Sequence, residues 1–187
     1  MNNFQVGILA FALALSTFSA HLSLGSGLDK EDNHRKWQLF FLMLIFPVLM
    51  SGSGLWLGFK IGILAVHSNL FISLGLLSLM GLWIIFDSFR LKPDDKTEEE
   101  SETRKMLMGS LSGGIAPLVV GMAIGLTVEK VLVPWIILVL LQTISLFTGF
   151  ISGPRLETSV IRLRTATLGG LILLAAALEF LMKLTGF

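Results

Sequence analysis

The sequence predicts an all-α integral membrane protein with six transmembrane helices, and its composition and charge distribution carry that prediction. Hydrophobic residues make up 53% of the 187 positions, only 14% are charged, and the mean hydropathy is +0.81. A soluble domain of this size needs a more polar surface. The charged residues cluster between six apolar runs, each close to the roughly 20 residues that span a bilayer. Little is left over for a separate soluble domain.

The elements follow from these runs, which lie at 4–24, 37–58, 70–89, 106–128, 131–152 and 165–187. Because a backbone in lipid must pair its own polar groups, each run is predicted to be a helix. No Lys or Arg precedes the first run, so it is predicted to be a retained helix rather than a signal peptide. A short apolar piece and the polar break at 67–69 separate the second run from the third.

The basic residues predict the orientation. Only Lys60, Lys130 and Lys183 of the fourteen Lys and Arg residues fall on one side; the other eleven fall in the loops of the opposite side. By the positive-inside rule both termini face outward and the charged loops are cytoplasmic. The charged segment 90–105 then joins two three-helix halves, 1–89 and 106–187. Since three helices reverse the entry side, the halves form a 3+3 inverted repeat, a common design of secondary transporters.

Composition also excludes several classes of function. The chain has no cysteine, so it has neither disulfides nor thiolate metal ligands. A net charge of +1 without a basic stripe argues against a nucleic-acid partner. No motif of a soluble enzyme is present, so we expect no enzymatic activity and no cofactor. The lipid bilayer is the expected partner; the oligomeric state stays open, with a homodimer among the alternatives.

Polar residues inside the apolar runs are the candidates for a substrate site. Ser16 and His21 lie in the first run, and Gln142 is the deepest strongly polar group of the fifth. Ionisable groups within a membrane usually face a cavity or a pathway. Hydroxyl and amide side chains also hydrogen-bond across helix contacts, and His21 near the end of its run also suits the membrane interface. Both explanations stay open.

Two further features complete the candidate set. Pro117 interrupts the fourth run, and a kink or break there would free backbone carbonyls next to Ser112. A merely bent packing helix is the alternative. Asp87 and Glu179 are the carboxylates well inside apolar runs, where a carboxylate needs a partner or a purpose. Ion pairs with Arg90 and Lys183 are the alternative.

Three segments resemble the small manganese efflux pumps of the MntP type, within the LysE transporter superfamily. They are the end of the third run at 79–90, the segment 116–125 and the Leu-Gly-Gly segment at 168–173. The resemblance implies a secondary exporter of Mn²⁺ or a related divalent cation, located in the bacterial inner membrane. Where that family carries aspartates, this chain has Ser16 and Ala116, and it carries Asp87 in place of a glutamate.

On that resemblance Asp87 is the surviving anionic metal ligand and His21 a second one. The wider substrate site would comprise Ser16, His21, Asp87, Ser112, Pro117 and Gln142. A site without paired acids also suits a neutral or zwitterionic solute, and a third alternative is a non-transporting membrane scaffold. Convergence of Ser16, His21, Asp87 and Ser112 on one cavity would favour transport; their scattering would favour the scaffold.

Overall fold

The computed structural model of the chain describes residues 1–27, 33–64, 68–90, 102–156 and 159–185, and within these ranges it is all-α. The helices are α1 (Asn3–Gly27), α2 (Asn33–Leu64), α3 (Asn69–Arg90), α4 (Glu102–Gly125), α5 (Leu132–Leu156) and α6 (Ser159–Thr185). Each predicted apolar run corresponds to one helix. The charged linker falls largely on 91–101, outside the described residues.

Five of the helices are long and apolar enough to cross a membrane. The spans are Asn3–Leu22, Met43–Leu64, Asn69–Phe89, Leu132–Gly153 and Leu163–Met182. In α4 the apolar part with described side chains, Gly114–Gly125, is shorter. Large apolar side chains such as Phe71, Leu79 and Leu171 are more than half exposed. Such outward apolar surface is what a bilayer would cover.

Two details differ from the sequence-based expectation. The helix predicted to end at Gly58 continues to Leu64, and the ammonium of Lys60 lies 5.7 Å from the ring centre of Trp56. A long basic side chain can carry its charge toward the interface, so it need not end the helix. Of the predicted kink or break at Pro117, the break is not seen, because α4 continues through this residue without interruption. Transmembrane helices tolerate proline where neighbouring groups compensate for the lost bond.

The helices pack in defined partnerships around α1. Helix α2 packs most closely against α4, α1 against α5 and α6, and α3 against α6. In α1, 56% of the spanning segment is buried, compared with 28–39% in the other four spans. Its inward residues join a core to which the five other helices contribute. Fully buried members of that core are Val6, Leu13, Leu55, Leu77, Ile124, Leu138 and Leu173.

Glycines bring α2 and α4 into backbone contact. Gly54, Gly58 and Gly62 are four residues apart and therefore share one face of α2. A methyl group at Gly54 would overlap the carbonyl oxygen of Leu118, and one at Gly58 that of Met122. Helices in lipid gain association energy from such close approach, because small residues maximise van der Waals contact. Main-chain contacts therefore form a large part of the α2·α4 interface.

A similar contact joins α3 and α6. A methyl group on Gly81 would lie 3.0 Å from the carbonyl oxygen of Gly170, and one on Gly170 would lie 2.9 Å from that of Gly81. The contact is therefore reciprocal. Gly169 faces α1, where an added methyl would lie 2.6 Å from the carbonyl oxygen of Ala12. Together the two neighbouring glycines let α6 approach α3 and α1 at once.

Candidate functional site: a polar gap between α1, α2 and α5

Hydroxyl groups line the contact between α1 and α5. The Ser145 hydroxyl donates to the carbonyl oxygen of Ala14 across the interface. The Thr17 hydroxyl lies 3.4 Å from that of Ser145 and donates to the Leu13 carbonyl at 3.0 Å. Both side chains are buried. Since each hydroxyl bonds a carbonyl, this part of the interface is a satisfied polar contact.

His21 and Gln142 differ from these hydroxyls because each has at least one buried polar atom without a partner. His21 is 8% exposed and Gln142 is 4% exposed. Within the described part of the chain, His21 Nδ1 and both amide atoms of Gln142 have no hydrogen-bond partner. A buried polar group left unpaired costs about 1–3 kcal/mol. Native proteins keep few such groups, so two adjacent ones call for a functional explanation.

These two residues line one narrow gap with apolar residues of α2 and α5. The wall consists of Thr17, His21, Leu44, Pro47, Val48, Gln142 and Leu146. The gap is too small to admit a water molecule. Pro47 lies inside α2 and has no backbone N–H, so the carbonyl oxygen of Met43 lacks its usual helical donor.

The polar side chains that line the gap are an imidazole, an amide and a hydroxyl group, all of them uncharged or able to be uncharged. No carboxylate is among its lining residues. Within the described ranges, no three His, Asp or Glu side chains come together as a metal-binding group. Imidazole is a ligand for zinc, copper, iron and nickel, whereas carboxylate, carbonyl and water oxygens suit manganese.

Of the predicted site residues whose side chains the structure describes, two line this gap, His21 and Gln142. Ser16 donates to the Leu13 carbonyl of its own helix at 2.9 Å, and its Cβ faces α6 beside Gly169. Asp87 is exposed and lies among Leu79, Leu82, Trp83, Phe86 and Phe89 on the surface of α3. Neither Ser16 nor Asp87 lines the gap. The expected convergence of Ser16 and Asp87 with His21 is therefore not seen.

Two of the predicted site residues, Pro117 and Ser112, belong to α4. Pro117 is buried within α4 and is not among the gap residues. The side chain of Ser112 lies outside the described residues. Sequence reasoning did not include Thr17, Ser145 and Pro47 in the site. The four-residue spacing of Thr17 and His21, and the three-residue spacing of Gln142 and Ser145, are signals for a shared helix face that could have found two of them.

Glu179 lies elsewhere, close to a second cavity. Its carboxylate accepts a hydrogen bond from the Gln5 amide. Gln5 lines a cavity of about 260 Å³ together with Met1, Asn69, Leu70, Leu126, Thr127 and Phe180. Asn69 donates to the carbonyl oxygen of Gly62 at 3.0 Å. Glu179 thus has a polar partner on α1 and does not contribute to the gap beside His21.

Comparison with known proteins places the chain in a family. The sequence profile described as "Putative manganese efflux pump" matches residues 30–181. A protein of Methanocorpusculum labreanum named "Putative manganese efflux pump MntP" is 28% identical over 180 residues, which cover 94% of each chain.

A protein of the same name from Photorhabdus laumondii is 25% identical over 195 residues, covering 98% of this chain and 95% of the relative. No solved structure matches the chain at a significant level. The family match spans most of the chain and agrees with several apolar helices of membrane-spanning length. The chain is therefore a multi-pass membrane protein that belongs to the family of putative manganese efflux pumps.

Proposed function

We propose that the chain is a secondary membrane transporter that exports manganese or a related divalent cation. Family membership supports the class of function. The single structural observation that carries the proposal is the pair of unpaired buried groups, His21 and Gln142, on one gap between three helices. Ionisable and strongly polar groups inside a membrane are costly and mark substrate pathways more often than packing contacts.

The proposed architecture is six spanning helices in a 3+3 inverted repeat. Such a repeat would exchange α1 with α4 and α2 with α5, so the contact α1·α5 would correspond to α4·α2. Those two contacts are among the most extensive in the molecule. The reciprocal contact of Gly81 and Gly170 fits the same two-fold relation between α3 and α6. Inverted repeats of this kind place substrate sites at helix interfaces within the membrane.

A second candidate is transport of a small neutral or zwitterionic solute. One observation favours it: the lining of the gap contains no carboxylate. A dication in a low-dielectric site is strongly stabilised by anionic ligands, which are not found there. The amide of Gln142 offers both a donor and an acceptor, which a polar organic solute can pair.

Ion flux into proteoliposomes tests the proposal. Purified protein is reconstituted, and uptake of Mn²⁺, Co²⁺, Ni²⁺ and Zn²⁺ is followed with a metal-sensitive dye trapped inside. Saturable flux of at least one of these ions, absent from protein-free liposomes, supports the proposal. If correctly folded protein moves none of them, the cation hypothesis fails. A neutral solute or the scaffold alternative would then remain.

The absence of cysteine allows a clean test of the orientation. Single cysteines are introduced at Lys130 and Lys183 on the proposed outer side, and at Lys96 and Arg162 on the proposed inner side. A membrane-impermeant maleimide applied to intact cells should label the first pair only. Labelling of the second pair should require permeabilised membranes. Equal labelling of all four in intact cells would contradict the proposed topology.

A further inference from the structure

We infer that a cluster of apolar side chains between α2 and α5 is the cytoplasmic gate of the substrate path, and that it opens when α2 bends at Pro47. The inference rests on the proposed transport function and orientation, and it adds the element that controls access. The buried members of the cluster are Phe40, Met43 and Leu146, with Leu44 and Phe150 packed against them. These five residues are called the gate cluster below.

The gate cluster lies directly beside the gap that holds His21 and Gln142. Leu44 and Leu146 belong to both, since they line the gap and also pack within the cluster. On the proposed orientation α5 runs toward the cytoplasm. Phe150 follows Leu146 by one helical turn and therefore lies between the gap and the cytoplasm. The gate cluster thus separates the polar residues of the gap from the cytoplasmic side.

The gate cluster is distinct from the main core of the bundle. All six helices contribute to the main core, whereas the members of the gate cluster come from α2 and α5. The ring centre of Phe40 lies 5.4 Å from that of Phe150 and 6.2 Å from that of Phe147. An apolar constriction of this kind excludes water and ions until its walls separate. Two helices can separate at this small cluster while the main core stays packed.

Pro47 divides α2 into two parts that make different contacts. After it, Gly54 brings α2 into main-chain contact with α4. Before it, side chains make the contacts, with Phe40 against α5 and the ring of Phe46 against Gly114 of α4. A proline removes one helical hydrogen bond and is a common position for a bend. The part of α2 before Pro47 can therefore move while the part after it stays fixed to α4.

The contents of the gap favour opening. Among the described residues, His21 Nδ1 and the amide atoms of Gln142 have no hydrogen-bond partner, and no water molecule fits beside them. Water that enters an opened gap would hydrate these atoms and remove the free-energy cost of burying them without partners. The closed form is therefore less stable than its apolar contacts alone would make it. We conclude that the gate is closed in this structure and is poised to open.

The accessibility of a buried thiol tests the gate without any measurement of transport. The chain has no cysteine, so Leu146→Cys places a single thiol in the gate cluster, where the leucine is 2% exposed. The purified protein in detergent is treated with a water-soluble maleimide. Adding Phe40→Ala removes a large ring that is buried in the closed form, so the labelling rate should rise at least about ten-fold. Leu44→Cys on the α2 side of the cluster provides a second reporter if the first variant fails to fold.

Two controls distinguish a gate from general destabilisation. Phe41 is 55% exposed, compared with 6% for Phe40, so Phe41→Ala should leave the labelling rate within about two-fold. Leu138→Cys places the thiol in the main core on the same helix, and its labelling should not respond to Phe40→Ala. Equal acceleration at Leu138→Cys, or no acceleration at either reporter in the gate cluster, would overturn the inference.

Cross-linking relates the gate to transport. Cysteines that replace Phe40 and Phe150 are joined by a short bifunctional thiosulfonate reagent, and a reductant later cleaves the link. Mn²⁺ flux should fall at least about ten-fold on joining, because a gate that cannot open blocks each transport cycle, and it should return on reduction. The loss should exceed that in each single-cysteine variant treated alike. Undiminished flux with the gate joined contradicts the inference and leaves the proposed function intact. If the unmodified chain moves no divalent cation, the proposed function fails, and the labelling rates alone decide on the gate.

Discussion

The contacts α2·α4 and α1·α5 are both close, parallel helix pairs, yet they are built from different residues. In α2·α4, Gly54, Gly58 and Gly62 face carbonyl oxygens of the partner helix, so main chain meets main chain. In α1·α5 the corresponding surface carries Ser145 and Gly149 opposite Ala14 and the carbonyl oxygen of Phe18. The first contact holds two helices together, whereas the second also carries polar groups.

The difference separates stability from function within one fold. Glycine contacts leave no side chain at the interface that could bind a substrate. The α1·α5 contact keeps two hydroxyls paired and leaves His21 Nδ1 and the Gln142 amide without partners beside α2. Natural proteins often retain such unfavourable groups where function requires them. Substitutions at the two contacts should therefore affect stability and transport in different proportions.

The largest expected effect comes from Gly58→Ala in the α2·α4 contact. The added methyl would overlap the carbonyl oxygen of Met122, so the two helices must separate. We expect a loss of about 3 kcal/mol, typical of severe overpacking. Thermal unfolding of the protein in detergent measures it. Gly75→Ala makes the same chemical change at an exposed position with nothing within 4 Å, and it should be neutral or gain up to about 1 kcal/mol of helix propensity. Equal melting temperatures of the two variants would contradict this account of the contact.

Gly149→Ala in the α1·α5 contact should reduce stability less than Gly58→Ala does, but it should reduce transport more. Its methyl would lie 3.1 Å from both His21 Cβ and the Phe18 carbonyl oxygen, which is tight without overlap. We expect a stability loss of about 1–2 kcal/mol. Because the methyl displaces the imidazole, flux should fall about ten-fold or more, as misplacement of a ligand does. The measurement is the ratio of flux loss to stability loss, which is compared between Gly149→Ala and Gly58→Ala. A loss of stability with unchanged flux per folded protein would show that His21 does not contribute to transport.

Hydropathy and charge predicted the helices because run length is a local property. Every apolar run became a helix, and the main errors were at ends and at a proline. The Lys60 side chain suits the interface, so α2 continues beyond Gly58, and the surrounding bundle tolerates Pro117 within α4.

The candidate site was predicted less well because it depends on which helices meet. Thr17 and Ser145 lie 128 residues apart, and no local pattern pairs them.

His21 and Gln142 could be singled out from sequence because each is a strongly polar residue within an apolar run. The same criterion selected Asp87, which the structure places on the exposed surface of α3. Polarity alone does not tell which face of a helix a residue occupies, since that depends on the neighbouring helices. Resemblance to a family likewise gave an expected position for Ser16, but its Cβ faces α6 rather than α5.

Gln142→Leu should stabilise the fold of the protein while lowering its transport activity. Leucine has a similar size and removes two buried amide atoms without partners, so we expect a gain of about 1 kcal/mol. Ser145→Ala, one turn away, is the matched comparison, because it removes a satisfied hydrogen bond to Ala14 and should cost about 1 kcal/mol. Thermal unfolding gives both signs, and metal flux should fall for Gln142→Leu. Destabilisation by Gln142→Leu would mean that the amide already has a hydrogen-bond partner in the membrane and is not available to bind a substrate.

Asp87→Asn should have the smallest effect, and it decides between the site expected from sequence and the one described by the structure. On the family resemblance, Asp87 is the surviving anionic ligand. If that expectation holds, loss of its carboxylate should abolish flux. The structure places it on the exposed side of α3 among Trp83, Phe86 and Phe89, away from the lining of the gap. An exposed substitution usually changes free energies by less than about 0.5 kcal/mol, so flux should stay within about two-fold. Asparagine keeps the shape and removes the charge, and His21→Ala measured in the same liposomes gives the comparison. Abolished flux for Asp87→Asn with unchanged flux for His21→Ala would move the substrate path from the α1·α5 contact to the outer face of α3.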